Sequence, residues 1–131
     1  MPTKTVLFVC LHGAAKSVLA AADFERLARE RGLDARAASA GTEPDPEIAP
    51  RVLAELRAEG VDLRGRHPQR VTRADVERAW RVVAFGCDLG ELAAAGPRVE
   101  QWEVPAVGED FGKARAAIDA RLVRLLDELS A

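Results

Sequence analysis

Residues 10–17, CLHGAAKS, combine a thiol, an amine and a hydroxyl with several small side chains. Cys10 is a candidate nucleophile, because a nearby positive charge favours the thiolate, which is the reactive form of cysteine. Lys16 adds a positive charge, and Gly13 lets the backbone approach a ligand because it takes a positive φ without steric cost. Alternatively, Cys10 is a small buried residue that ends a strand, as most free cysteines are. The spacing alone leaves both explanations open.

Two regular elements must hold this segment. Residues 6–9 are an apolar run typical of a strand covered on both faces of a parallel sheet. From Ser17 onward apolar residues recur at helical spacing, and Gly32 predicts the end of that helix. The loop therefore lies at a helix amino end, where unpaired N–H groups and the helix dipole stabilise a phosphate, sulfate or arsenate ion and favour a thiolate. The predicted oxyanion-binding residues are Leu11, His12, Gly13, Ala14, Ala15, Lys16 and Ser17.

Length and composition predict one domain over residues 1–131. The chain is 48% hydrophobic and 31% charged, which is ordinary for a soluble globular protein. Its 19 basic and 21 acidic residues give a net charge of −2, so no basic surface for nucleic acid is expected. No apolar run is long enough to span a membrane, and the start of the chain lacks a signal-peptide pattern. Two cysteines far apart in sequence indicate a reducing cytoplasm.

The rest of the chain alternates between helix and strand patterns. Strands are predicted at residues 34–39, 80–85 and 99–102. A closing helix carries an apolar stripe formed by Phe111, Ala114, Ile118, Leu122, Leu125 and Leu129. If strand follows helix throughout, the crossovers are right-handed and all strand carboxyl ends meet at one edge of the sheet. Cys87 and Asp88 are then expected beside the loop that contains Cys10.

Capping residues predict where two further helices begin. Asp45 before Pro46 predicts an N-cap followed by proline at the first helical position, and Gly60 predicts that helix's end. Thr72 and Asp75 resemble a capping box that opens a short helix ending at Arg78. Residues 93–97, AAAGP, predict a break before the last strand.

The two histidines have several explanations. His67 precedes Pro68 with no acidic or histidine partner at ligand spacing, so no metal site is predicted. His12 lies inside the loop, where it could line the site, bind an anion when protonated or donate a proton; otherwise it faces solvent. The arginine-containing connector at residues 62–71 is either a basic rim that steers an anionic substrate or a solvated loop. Nothing in the sequence predicts a cofactor.

Cys10, the five residues that separate it from Lys16, and Ser17 resemble the phosphate loop of the low-molecular-weight protein tyrosine phosphatases and the thioredoxin-coupled arsenate reductases that share their fold. The resemblance extends over nearly the whole chain, including the SAGT segment at 39–42 and the Trp102-x-x-Pro105 segment. It implies that Cys10 attacks phosphorus, that Ser17 hydrogen-bonds the thiolate, and that Ser39 supports the loop. The partner would be an oxyanion or a phosphorylated protein.

Three departures from that family pattern bear on activity. Lys16 stands where the family has arginine, and an ammonium lacks the planar fork that grips two oxygens at once. Val104 stands where the phosphatases have the general-acid aspartate before the proline, so the acid is unassigned and Asp88 is a runner-up candidate. Cys87 is the one further cysteine, whereas the arsenate reductases need two, and Ala93 stands where the other is expected.

These features predict an α/β three-layer sandwich with a four-stranded parallel sheet and its site at the carboxyl edge. The leading hypothesis is a slow cysteine-dependent phosphate-monoester hydrolase with Cys10, Lys16 and Ser17 in catalytic roles. One alternative is an arsenate-reductase-like redox enzyme, in which Cys10 and Cys87 pair as a disulfide under oxidation if their Cα atoms lie within about 7 Å. The other is a non-catalytic module that binds an oxyanion or a phosphoprotein.

Overall fold

A computed structural model of the chain describes residues 3–130. Residues 1, 2 and 131 lie outside the description, so both limits of the predicted domain, residues 1 and 131, also lie outside it. The described chain alternates strands and helices, as the sequence predicts. In order, the elements are β1 (Lys4–Cys10), α1 (Lys16–Glu30), β2 (Ala35–Gly41), α2 (Pro50–Ala58), α3 (Arg73–Arg78), β3 (Arg81–Ala84), a 3-10 helix (Gly90–Ala95), β4 (Val99–Gln101) and α4 (Phe111–Ser130).

The four strands form one parallel sheet in the order β2-β1-β3-β4. β1 is central, and its register aligns Cys10 with Gly41 of β2 and Val9 with Ala84 of β3. All four carboxyl ends therefore meet at one edge, where the Cys10 loop begins. The predicted three-layer sandwich with a four-stranded parallel sheet is confirmed.

Each face of the sheet is covered by its own hydrophobic core, because successive side chains of β1 point to opposite faces. Phe8 and Cys10 pack on the face covered by α1, α2 and α4. Leu7 and Val9 pack on the face covered by α3 and the 3-10 helix, where Val76 and Cys87 also lie. The closing helix contributes the predicted stripe, with Leu129 only partly buried and Leu126 as an additional buried residue.

Helix ends follow the predicted caps at two positions. Gly32 has φ of +67° after the last turn of α1, as expected for a residue that ends a helix in the left-handed conformation. At α3, Thr72 and Asp75 exchange both hydrogen bonds of a capping box, the Asp75 amide donating to the Thr72 hydroxyl at 3.2 Å. Residues 90–95 form a 3-10 helix, so the predicted break at 93–97 begins only at its end.

The predicted start of α2 is wrong. The helix begins at Pro50, and Asp45 does not cap it. The proline rule holds, but it applies to Pro50 rather than to Pro46. The physical reason is that Asp45 and Ala49 donate their backbone N–H groups to carbonyls of the Cys10 loop, so the intervening residues are bound to the loop and form no helical turn.

A cluster of charged side chains joins α1, α4 and the residue that follows α2. Arg115 of α4 donates two hydrogen bonds to the buried Asp23 of α1, at 3.0 and 2.7 Å, and also pairs with Glu59 after α2. Burial raises the pKa of the neighbouring Asp119 to about 7, and its hydrogen bond to Asp23 acts in the same direction. Burial opposes the ionisation of Asp23, but the hydrogen bonds from Arg115 and Asp119 hold its pKa below the ordinary value.

Candidate functional site

The backbone carbonyls of the Cys10 loop are occupied by the segment that follows β2. The pairs are Thr42 N–H to Cys10 at 3.3 Å, Glu43 to Leu11 at 2.7 Å, Asp45 to His12 at 3.0 Å and Ala49 to Ala14 at 2.9 Å. Within residues 3–130, the backbone N–H groups of residues 11–17 have no protein acceptor. With carbonyls turned away and amides unpaired, the loop is a ready site for an anion.

Two glycines let the loop and β2 meet at this edge. Gly13 has φ of +61°, and a Cβ added to it would lie 2.8 Å from the Gly41 nitrogen. A Cβ added to Gly41 would lie 2.6 Å from the Gly13 nitrogen. Neither position accepts a side chain without displacing backbone. The sequence singled out Gly13, whereas the close approach of Gly41 depends on the pairing of β1 with β2.

Cys10 and Ser17 form the centre of the site. The Cys10 Sγ and the Ser17 Oγ lie 3.0 Å apart, and both residues are buried. When Cys10 is a thiolate, only the hydroxyl can donate, so Ser17 then stabilises the charged sulfur. The two residues therefore lie together in the arrangement that the resemblance implies.

Lys16 connects the loop to the segment at residues 102–107. Its Nζ donates to the backbone carbonyl oxygen of Val104 at 3.2 Å. The ammonium thus lies beside the predicted anion site and holds the segment where the phosphatases place their acid. Val104 is half-buried and contributes to this contact only a carbonyl oxygen, which carries no proton.

Cys10 opens into a pocket of about 280 Å³ with largely apolar walls. Besides the loop residues Leu11, His12, Ala14, Ala15 and Lys16, its lining residues are Asp45, Ala49, Phe85, Ala106, Val107 and Gly108. Phe85 contacts the buried Trp102 edge to face, with ring centroids 5.9 Å apart. Asp45 and Phe85 are not among the site residues predicted from the sequence.

Asp45 reaches the site through His12. The His12 Nδ1 lies 3.2 Å from the Asp45 Oδ1 and 3.2 Å from the backbone oxygen of Glu43. Both partners are acceptors, so Nδ1 carries a proton and Nε2 is the nitrogen left for a ligand. A sequence signal for Asp45 exists in retrospect, because it follows β2 by a few residues and β2 pairs with β1.

The other predicted site residues lie outside this pocket. Asp88 is exposed, and its Oδ1 accepts a hydrogen bond from the Gly90 amide at 2.8 Å. Ser39 faces a separate groove, which Gly13 and His67 also line. Gly41 and residues 42–49 contact the loop directly, and the supporting role of Ser39 stays a prediction.

Cys87 is also outside the pocket. Both cysteines are free, and Cys87 packs in the opposite core, where its Sγ donates to the Val9 carbonyl oxygen at 3.5 Å. Burial raises the pKa of the Cys87 thiol, and the nearby Cys10 adds to that effect. A thiol in this environment is a poor nucleophile for the exchange step that the redox alternative requires.

Residues 3–130 contain neither a candidate membrane-spanning helix nor a candidate metal-binding cluster. The described helices include none that is both long and apolar enough to cross a membrane. That part of the chain also has no cluster of three or more histidine, cysteine or acidic side chains that could hold a metal ion.

A family model described as low molecular weight phosphotyrosine protein phosphatase matches residues 5–101. The fold is similar to that of YfkJ from Bacillus subtilis, with a TM-score of 0.83 and 22% identity over 99% of this chain and 96% of that one. An arsenate reductase in its phosphate-binding state gives a TM-score of 0.79 and 20% identity over 96% of this chain and 98% of that one.

A thioredoxin-dependent arsenate reductase from Corynebacterium glutamicum is 28% identical, with a TM-score of 0.75. That match covers 100% of this chain and 64% of the reductase. Among curated protein sequences there is no significant match. The family model and the solved structures together confirm the resemblance drawn from residues 10–17.

Proposed function

Because the chain belongs to the low molecular weight phosphotyrosine protein phosphatase family, whose members are hydrolases, we propose that it is a cysteine-dependent phosphate-monoester hydrolase. The observation that carries the proposal is the set of unpaired N–H groups at residues 11–17, arranged around the buried Cys10. These donors suit the three outer oxygens of a phosphoryl group. The same N–H groups would also bind sulfate or arsenate.

The chemistry divides into two displacements at phosphorus. The Cys10 thiolate attacks phosphorus, an S–P bond forms, and the ester P–O bond breaks so that the alcohol oxygen leaves with the electron pair. Water then attacks the thiophosphate, the S–P bond breaks, and phosphate and the thiolate are released. Ser17 stabilises the thiolate, while the loop amides and Lys16 stabilise the charge on the transferring group.

The pattern of residues predicts slow hydrolysis. Lys16 presents one point charge where arginine would form two parallel hydrogen bonds. Its Nζ is also engaged with the Val104 carbonyl oxygen. Val104 itself offers no proton to a leaving group. We therefore expect esters with good leaving groups to be the better substrates.

The redox alternative rests on the arsenate reductases among the structural neighbours. Against it stand the burial of Cys87 in the opposite core and the raised pKa of its thiol. In the binding-module alternative, the N–H groups of residues 11–17 bind the anion but no turnover follows. All three hypotheses share oxyanion binding at residues 10–17, so turnover has to separate them.

The test is hydrolysis of para-nitrophenyl phosphate by the purified chain, beside Cys10→Ser and Cys87→Ser. We expect turnover by the wild type, loss of at least about a thousandfold in Cys10→Ser, as expected for removal of a nucleophile that acts as part of a unit, and little change in Cys87→Ser. Equal turnover by the wild type and Cys10→Ser would exclude the cysteine mechanism. Phosphate binding without any turnover would favour the module.

A further inference from the structure

We infer that the His12–Asp45 pair supplies the leaving-group proton that Val104 cannot supply, with His12 as the catalytic acid and Asp45 as its positioning residue. The inference rests on the proposed function. It assigns the missing step of that reaction to a histidine within the phosphate loop and to a carboxylate from the segment after β2.

Four side chains that can carry or exchange a proton line the Cys10 pocket. They are Cys10, His12, Lys16 and Asp45. Cys10 is the nucleophile, and the Lys16 Nζ donates to the Val104 carbonyl oxygen. Histidine is the side chain whose ordinary pKa allows it to give up and take back a proton near neutral pH. His12 is therefore the group in this pocket that suits acid catalysis.

The geometry orients the ring for that task. Asp45 Oδ1 and the Glu43 backbone oxygen both lie 3.2 Å from Nδ1 and fix the proton there. The protonated ring then presents its second N–H, on Nε2, as the one available for transfer. The carboxylate that accepts the Nδ1 hydrogen bond also stabilises the positively charged ring before Nε2 donates its proton.

Few other charges act on the ring within this pocket. Cys10 and Lys16 come from its own loop, and Asp45 comes from the segment after β2. The elements that complete the pocket contribute Ala49, Phe85, Ala106, Val107 and Gly108, all uncharged. Glu43, the neighbour of Asp45 in sequence, is exposed and meets His12 through its backbone oxygen.

The proton balance closes over the two displacements. In the first, the ester P–O bond breaks and the leaving oxygen takes the proton from Nε2, which leaves a neutral imidazole. In the second, Nε2 takes a proton from the attacking water as the S–P bond breaks. The ring returns to its protonated form, so the cycle needs no other acid or base.

The test compares phenyl phosphate, a poor leaving-group substrate, with para-nitrophenyl phosphate in wild type and His12→Gln. His12→Gln should lower kcat/KM on phenyl phosphate at least about tenfold more than on para-nitrophenyl phosphate, because acid catalysis contributes about 10²–10⁴-fold mainly to poor leaving groups. Acid catalysis by His12 also predicts an alkaline decline of the wild-type rate on phenyl phosphate, and that decline should be absent in His12→Gln.

His67→Gln is the matched control. The His67 Nδ1 also lies 3.2 Å from a backbone oxygen, that of Pro46, but His67 does not line the Cys10 pocket. It should leave the ratio of the two rates unchanged. For Asp45, we expect Asp45→Ala to give the same selective loss as His12→Gln and Asp45→Asn to recover most of it, because the amide oxygen still accepts the Nδ1 proton.

Equal losses on the two substrates in His12→Gln would overturn the inference, as would an alkaline decline that persists in that variant. Those outcomes would leave the proposed function standing, provided that turnover still depends on Cys10. If the wild type hydrolyses neither ester, the proposed function fails and the inference fails with it. The two failures are therefore distinguishable by the same measurements.

Discussion

Lys16 is the residue whose chemistry departs furthest from what phosphoryl transfer requires. Its Nζ has one strong acceptor in the described structure, the Val104 carbonyl oxygen, and it meets a substrate only as a single charge. A guanidinium in its place could keep that carbonyl with one N–H and direct others at the phosphoryl oxygens. The backbone N–H groups of residues 11–17 would keep their positions.

Lys16→Arg should therefore increase kcat/KM on para-nitrophenyl phosphate by about one power of ten, since a hydrogen bond to a charged group contributes roughly 1.5–3 kcal/mol. Steady-state kinetics would measure the gain. Lys113→Arg, at an exposed position on α4, is the control and should have no effect. A decrease in Lys16→Arg would show that the loop is shaped for lysine.

Val104→Asp should restore a proton donor before Pro105. In the His12→Gln background, where that ring no longer supplies a proton, we expect a gain of at least about tenfold on phenyl phosphate and little change on para-nitrophenyl phosphate, because general-acid catalysis matters for poor leaving groups. Val104→Asn matches the size without the acid and should give no gain. A similar gain in both variants would contradict the prediction.

The sequence predicted Cys10 and Ser17 as site residues but not Asp45, which lines the pocket. The strand-loop-helix pattern placed Cys10 and Ser17 at the sheet edge, and the resemblance to the phosphatase loop implied their contact. Asp45 was not predicted there, because Asp-Pro is also a good helix start and local rules favoured that explanation. The outcome depended on hydrogen bonds to the loop carbonyls, which become visible only once β1 and β2 are paired.

The contact between the Cys10 loop and β2 is where elements, rather than side chains, define the site. Gly13 and Gly41 lie back to back, with no room for a Cβ on either. The adjacent residues 42–49 hold the loop carbonyls. A distortion here would alter the direction of the loop amides without touching any catalytic side chain.

Gly41→Ala should lower the free energy of unfolding by about 1–3 kcal/mol, the usual cost of overpacking, and should weaken phosphate binding as well. Chemical denaturation and isothermal titration calorimetry would measure the two effects. Gly112→Ala is the control, because its new methyl would meet only an Asp110 oxygen at 3.8 Å in the first turn of α4. It should be neutral or stabilising by up to about 1 kcal/mol.

At the level of the whole molecule, α1, α2 and α4 are joined by a cluster that ties stability to pH. Asp119 has one buried oxygen without a hydrogen-bond partner, and its raised pKa means that the folded protein favours the protonated carboxyl. That contribution is fully present below the ordinary pKa of 3.8 and is lost as pH rises through about 7. Asp23, whose pKa is lowered, acts in the opposite direction at acid pH.

Asp119→Asn should therefore be close to neutral near pH 4 and more stable than the wild type above pH 7, by about 1–2 kcal/mol after allowance for partial exposure. Thermal unfolding between pH 4 and pH 8 would measure this difference. Asp127→Asn, which loses an exposed ion pair with Arg31, should show no gain on raising the pH. A constant difference between Asp119→Asn and the wild type would contradict the assignment.

The carbonyls of the Cys10 loop are hydrogen-bonded while its amides are not, and this difference predicts how fast the amide protons of the site exchange with solvent. The amides of Thr42, Glu43, Asp45 and Ala49 are bonded to loop carbonyls and should exchange slowly, whereas those of residues 11–17 have no acceptor among residues 3–130 and should exchange fast. Added phosphate should slow the second group selectively, even in Cys10→Ser, where turnover is lost. Hydrogen exchange would thus locate oxyanion binding amide by amide in a protein that performs no chemistry.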